Sequence, residues 1–308
     1  MKRASIGIGS HRRLALSEKR LPYLLTLPSL LTIFGVLIIP ILYSLFLSVH
    51  NLVLSSRTYE FVGLKHYIAM FSDKSFLNSI WQTLVFTVLS VAAEMVLGVG
   101  VALVLNQEFK GRGFVRGLMI LPWALPGVVN AIMWQWIFNA NYGVFNALLT
   151  QLGVIDSYQV WLAKPTSAFI CVWVANVWKE TPYVVLLTIA ALANISRDLY
   201  EAAAIDGCSS FQTLYKVIVP MLMPALVSCA LFQFMWSCND FMGPLLYVST
   251  PGKYPMSLFV KLSMDGDTGF AWNKILALSL ISILPQLIVF FCAQDQFVEG
   301  ISAGAVKG

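Results

Sequence analysis

The sequence predicts an all-α integral membrane protein, with six transmembrane helices and one helix-turn-helix loop on the cytoplasmic face. Three observations predict it. Only 11% of the residues are charged and 58% are hydrophobic, with a mean hydropathy of +0.76; a soluble domain carries roughly 25% charged residues. Uncharged runs cover 21–49, 75–93, 117–155, 181–196, 217–239 and 275–294, and a spanning helix needs ~20 apolar residues. Lys and Arg are also unevenly shared between the two sides that six spans define.

The spans follow in order. The first, near 22–49, is too long for the ~7–15-residue apolar core of a signal peptide, and no A-x-A site follows it. The second is expected at 78–105. The third uncharged run is too long for one span. Asn139, Asn141 and Gly143 break it, which leaves a helix from about 117 to 138. Beyond the break, Phe145, Leu148, Leu149 and Leu152 share one helical face, the pattern of an interfacial helix. The remaining spans are expected at 167–193, 221–248 and 273–294. The chain divides into a basic tail (1–20), the first helix with its loop (21–77), a five-helix core (78–294) containing the loop 194–220, and a C-terminal tail (295–308).

Orientation follows from charge. Lys2, Arg3, Arg12, Arg13, Lys19 and Arg20 in the tail fall on one side with Lys110, Arg112, Arg116, Arg197, Lys216 and Lys307, twelve in all. The other side holds seven: Arg57, Lys65, Lys74, Lys164, Lys253, Lys261 and Lys274. Positive loops stay in the cytoplasm, so both termini and the loop 194–220 are expected there. This topology accounts for the net charge of +5 without invoking nucleic acid. The five cysteines, Cys171, Cys208, Cys229, Cys238 and Cys292, have no CxxC spacing and read as small apolar fillers. His11, His50 and His66 lie outside the spans. There is no Walker lysine, HExxH, G-x-S-x-G or GxGxxG motif, so no metal site or catalytic residue is expected.

One polar stretch stands out, EAAAIDGCSSFQTLYKVIVP at 201–220. Its first part has strong helix formers. Gly207 permits a turn that a Cβ would obstruct. Ser209 or Ser210 can cap a second helix, with Thr213 and Lys216 on its wet side and Phe211, Leu214, Tyr215 and Ile218 on its apolar side. Pro220 fits the start of the next span. Taken by itself, the stretch also fits an ordinary amphipathic loop between two spans.

Its spacing resembles the cytoplasmic signature of the permease subunits of binding-protein-dependent ABC importers: E-A-A, three residues, G, nine residues, I-x-L-P. Glu201, Ala202, Ala203, Gly207 and Pro220 match in register, and Val217 and Val219 replace the usual Ile and Leu. The resemblance extends over most of the chain and points to the carbohydrate branch. FVGLKHYIAMFSDKSF, the stretch ALVLNQEFKGRGFVRGLMILPWALPGVVNAIMWQWIFNANYGVFNALL and WKETPYVVLL are similar to maltose-type and glycerol-phosphate-type permeases. The NDF at Asn239–Phe241 and the tail QDQFVEGISAGAVKG look more like the second permease of a maltose-type pair.

The resemblance implies a transport subunit in the bacterial inner membrane that performs no chemistry itself. It implies a second permease, two ATPase subunits that hold ATP and Mg, a periplasmic solute-binding protein, and a sugar or oligosaccharide as cargo. Glu201, Ala202, Ala203, Asp206, Gly207 and Pro220 would then couple to the ATPase. Two alternatives are a glycerol phosphate or other polyol cargo on the same machine, and a membrane-embedded transferase acting on a lipid-linked sugar.

Charged groups inside spans face protein or water. Lys179 and Glu180 sit within the family's span pattern and read as structural. Glu94 is expected to pair locally or with a neighbouring span. Trp134, Trp136, Trp173 and Trp178 read as packing or interface anchors. In the fifth span, Gln233, Trp236, Ser237 and Asp240 fall on one helical stripe, with Asn239 beside it. An aromatic face with amides and a carboxylate suits a hydroxyl-rich ring; the competing reading is hydrogen bonding between helices.

Overall fold

The computed structural model describes residues 9–53, 58–248, 250–264 and 272–305. Lys2, Arg3, Arg57 and Lys307 from the charge count lie outside the described residues. Packing separates the chain into two units, Met1–Ile68 with Ala271–Leu280, and Ala69–Phe270 with Ile281–Gly308.

In the first unit, α1 (Gly9–Thr32) runs through a wider π-helical stretch, Ile33–Ile38, into α2 (Ile39–Ser48). The helix starts within the predicted basic tail. Pro22 and Pro28 lie inside α1. A helical proline removes the donor from the carbonyl four residues earlier; one turn beyond each proline, Thr26 and Thr32 add side-chain bonds to the carbonyls of Pro22 and Pro28 themselves. Pro40 follows the π stretch, whose extra width gives its ring room. From Arg20 to Ser48 most residues of this run are exposed, and the run is long and apolar enough to cross a membrane. A short hairpin follows, β1 (His50–Val53) antiparallel to β2 (Thr58–Phe61), with His50 opposite Phe61. The sequence reading did not contain this hairpin. Helix α3 (Lys65–Phe71) is tied back to α2 by Ser48 Oγ and Tyr67 Oη, 2.7 Å apart. Asn273 donates to Asn51 Oδ1 at 3.1 Å.

The second unit holds the core. Helix α4 (Lys74–Asn106) opens on the Asp73 side chain, which accepts from Ser75 N at 2.8 Å. Its 33 residues make a rod of ~50 Å. Its buried face reads Phe76, Ser79, Thr83, Phe86, Thr87, Ser90, Glu94, Gly98, Ala102 and Leu105, with small or polar residues outnumbering the large apolar ones. Small residues allow close helix contact in a membrane. At the end of α4 the Leu105 carbonyl accepts from both Arg112 Nε (2.8 Å) and Arg116 Nη2 (3.0 Å).

The third span departs from expectation. It is two helices, α5 (Arg112–Ala124) and α6 (Gly127–Ile137), bent by 96°. The cause is Pro126, which forces Leu125 out of the helical region to φ −73°, ψ 133°. Helix α7 (Val144–Gln151) follows where the interfacial helix was expected; it buries Asn146 and leaves Leu148, and Leu152 just beyond its end, exposed. Helix α8 (Pro165–Leu192) matches the fourth span, with proline at its first turn.

The loop 194–220 contains α9 (Arg197–Ile205), α10 (Ser210–Thr213) and a π stretch, Leu214–Ile218, which leads into α11 (Val219–Cys238). Pro220 therefore does not start a separate helix. It lies inside one continuous helical run, next to the widened turn. The fifth span also ends early. Helix α11 stops at Cys238, residues 239–241 break the helix, and α12 (Met242–Tyr247) resumes it. Helix α13 (Met256–Leu262) and the long α14 (Trp272–Ala305) complete the chain; the predicted tail is helical as far as 305.

Among the described residues, four helices are long and apolar enough to cross a membrane, and six spans result if each bent pair counts as one. Helices α4 and α8 share the longest interface, and α11 packs on both. Leu192, Ile218 and Leu222 form one apolar cluster there, and Ala102, Leu105 and Val185 another.

Candidate functional site

A polar cavity of about 270 Å³ opens where α11 breaks, between α6, α8 and α12. Trp236, Asn239 and Asp240 line it, as do Asn130 on α6 and Asn176, Lys179 and Glu180 on α8. A larger cavity of about 1060 Å³ lies between α4, α5 and α8, but its walls are residues such as Leu97, Val101, Leu118, Leu121 and Val174. An apolar groove cannot orient a hydroxyl-rich ligand, so the smaller cavity is the candidate site.

The break in α11 positions its side chains. Asp240 N donates to Ser237 O at 3.3 Å, and Ser257 Oγ donates to the Asp240 carbonyl at 2.6 Å. The Asp240 carboxylate lies over the first turn of α12, with Gly243 N 3.5 Å from Oδ1. A Cβ on Gly243 would stand 2.9 Å from Asp240 Oδ2, so the absence of a side chain there makes room for the carboxylate. Asn239 donates to Met235 O at 2.8 Å and accepts from Gln286 Nε2 at 3.2 Å. Trp236 is exposed, and its ring meets Tyr183 in an edge-to-face contact, 4.7 Å between centroids.

The five predicted pathway residues therefore separate. Trp236, Asn239 and Asp240 reach the cavity. Gln233 and Ser237 are buried in the helix seam instead: Gln233 Nε2 donates to Glu180 O at 3.0 Å, and Ser237 Oγ accepts from Asn176 at 3.4 Å. Asp240 does not complete the stripe, because the helix has ended before it. Glu94 finds its partner on α8, accepting from Asn176 Nδ2 at 3.0 Å. Lys179 and Glu180, read as structural, form an ion pair in the cavity wall. Trp134 packs against Phe138 and Trp178, whereas Trp136 is exposed. Asn130 and Asn176 were missed. An amide within a long uncharged helix is nearly as conspicuous as a charge, and that signal could have found them. Asn130 Oδ1 is buried without a hydrogen-bond partner.

The loop residues occupy a different surface. Glu201, Ala202, Asp206, Gly207 and Pro220 are exposed and Ala203 is buried. Helix α9 is capped by Ser196 and ends with Cys208 N bonded to Ala203 O. Gly207 turns the chain at φ +76°, in the left-handed region that side chains resist. Ser209 and Gln212 form a capping box on α10. The expected apolar side divides: Ile218 is buried and Leu214 packs beside it, but Phe211 and Tyr215 stay exposed, as does Ile205 on α9.

Residues 94–300 match the family described as binding-protein-dependent transport system inner membrane component. The chain belongs to this family. It is thus a multi-pass inner-membrane transport component, from a transport rather than a catalytic family. The permease is 38% identical to the trehalose/maltose transport system permease protein MalF of Thermococcus litoralis, over 78% of this chain and 80% of that one. It is 32% identical to the trehalose transport system permease protein SugA of Mycobacterium tuberculosis, over 82% of this chain and 80% of the relative. Its fold resembles a chain in the crystal structure of a bacterial alginate ABC transporter in complex with an alginate pentasaccharide-bound periplasmic protein. The TM-score is 0.74 at 20% identity, covering 90% of this permease and 94% of that chain.

Proposed function

We propose that this permease forms one half of the membrane pathway of an ATP-driven importer for a sugar or oligosaccharide, and that the cavity at the α11 break is part of that pathway. The observation that carries the reading is the cavity wall itself: the exposed Trp236 beside three asparagines and the carboxylates of Glu180 and Asp240. Aromatic faces stack on sugar rings, and amides and carboxylates match hydroxyls. The relatives named for trehalose and maltose support the same cargo class.

The partners follow from the family. A periplasmic binding protein delivers the sugar, a second permease completes the pathway, and two cytoplasmic ATPases supply ATP and Mg chemistry. The exposed Ile205, Phe211 and Tyr215, with Glu201 on α9 and Gly207 between α9 and α10, form the surface on which an ATPase docks. The excess of Lys and Arg on that side supports cytoplasmic termini. ATP binding biases two arrangements of the spans through this loop.

Reconstituted complexes test the reading at both ends. Trp236→Ala and Asp240→Asn should assemble and hydrolyse ATP while uptake falls at least about tenfold, the loss expected from ~1.4 kcal/mol of binding. Gly207→Asp should insert in the membrane but lose hydrolysis stimulated by the binding protein. Unchanged uptake in both cavity variants would make the wall mere packing, and a fully stimulated Gly207→Asp complex would remove the coupling role.

A further inference from the structure

We infer that the cavity at the α11 break admits one uncharged sugar ring at a time and rejects anionic sugars, and that the Lys179–Glu180 pair with Asp240 sets this choice. The inference rests on the reading of this cavity as part of the substrate path, and it adds the charge and size of what passes.

Size comes first. The cavity of about 270 Å³ equals roughly nine water volumes at ~30 Å³ each. That is the scale of one sugar ring with its hydroxyls on this half of the pathway.

Charge comes second. Lys179 is the only cation in the lining, and its ammonium is bonded to Glu180 Oε1, with side chains 19% and 11% exposed. Among the described residues the only ion pairs are Lys179–Glu180 and the exposed Arg197–Glu108, so the one cation near Asp240 is bonded to Glu180 instead. The lining therefore sums to one negative charge. A carboxylate or phosphate entering would meet Asp240 with no cation free to receive it, in a wall where charges are poorly screened.

Hydrogen bonding gives an independent argument. Several of the wall's donors are already engaged: Lys179 on Glu180, the Asn176 amide on Glu94 and Ser237, and the Asn239 amide on Met235 O. Its acceptors are open. Asn130 Oδ1 is buried with no partner, and the Asp240 carboxylate receives backbone contacts from the start of α12, including a long one from Gly243 N at 3.5 Å, and no side-chain donor. A wall of open acceptors calls for a ligand that donates. Sugar hydroxyls donate, whereas a carboxylate or phosphate oxygen only accepts, and a buried acceptor left unpaired weakens binding.

Glucose and glucuronate have the same ring and differ by one carboxylate, so they make the cleanest probe pair. Their binding is measured by calorimetry to the whole transporter in nanodiscs, with both permeases and both ATPases present. The periplasmic binding protein is left out so that its own selection does not enter. The wild type should bind glucose at least about tenfold more tightly than glucuronate, a factor equal to ~1.4 kcal/mol. Glu180→Gln frees the Lys179 ammonium and should shift the ratio toward glucuronate by about tenfold or more. The double variant Lys179→Gln, Glu180→Gln leaves Asp240 alone and should restore the wild-type preference. If Glu180→Gln does not assemble, Asp240→Asn carries the test, and it should narrow the discrimination. Equal binding of both sugars to the wild type, or an unmoved ratio in a folded Glu180→Gln or Asp240→Asn complex, overturns the charge rule while the pathway reading stands. Binding of neither sugar to the wild type overturns the pathway reading and this inference with it.

Discussion

Asn146 shows what one amide can organise. It is fully buried, and its side chain makes four hydrogen bonds: Nδ2 to Asn139 O and Gln159 O, and Oδ1 from Gln159 N and Trp161 Nε1. These bonds pin the stretch 139–161 into one structure. Asn146→Leu should leave those backbone and indole groups unpaired at ~1–3 kcal/mol each. Amide hydrogen exchange over 152–164 should then accelerate at least about tenfold, since 1.4 kcal/mol is a factor of ten; exchange at the wild-type rate would show that the loop is held elsewhere. The sequence placed Asn146 on a helix but gave no sign of its role, because its partners Gln159 and Trp161 lie 13 and 15 residues away and no periodicity reports contacts at that range. Asp240 was hidden differently. Its carboxylate was visible as a charge in a span, but the helix end that turns it into the cavity was not.

At the scale of elements, length and hydropathy located the second and fourth spans closely, since α4 and α8 are long, continuous and marked by charges at both ends. The same signals failed for the third and fifth. Hydropathy counts apolar residues and is blind to direction, so the bend at Pro126 and the break at 239–241 went unseen. Pro126 itself was a legible cue, because a proline constrains the residue before it. The α4–α8 seam depends on Gly98, where a Cβ would come within 2.6 Å of Val184. Gly98→Ala should therefore destabilise the detergent-solubilised permease by ~1–3 kcal/mol, the usual penalty of overpacking. Adding Val184→Gly, which removes both the Cβ and the Cγ1 that the new methyl would meet, should recover part of that loss in the same thermal-unfolding assay. A double variant no better than the single would place the clash elsewhere.

The whole molecule has one orientation to establish. Reporter fusions after Lys110 and Ser209 should register in the cytoplasm, and fusions after Lys74 and Asp156 outside, as the Lys and Arg distribution requires. A cytoplasmic signal at Asp156 would refute the six-span count. With that topology, the helical run through α10, the π stretch and α11 takes on a further meaning. From Ser210 to Cys238 it is 29 residues without a gap, a length of ~44 Å. One end carries the exposed Phe211 and Tyr215, and the other carries Trp236 and stops at Asn239. On the proposed coupling the run is a pushrod between the docking loop and the cavity, and its π stretch, Pro220 and Pro224 are the joints at which axial travel is absorbed before it reaches the cavity wall.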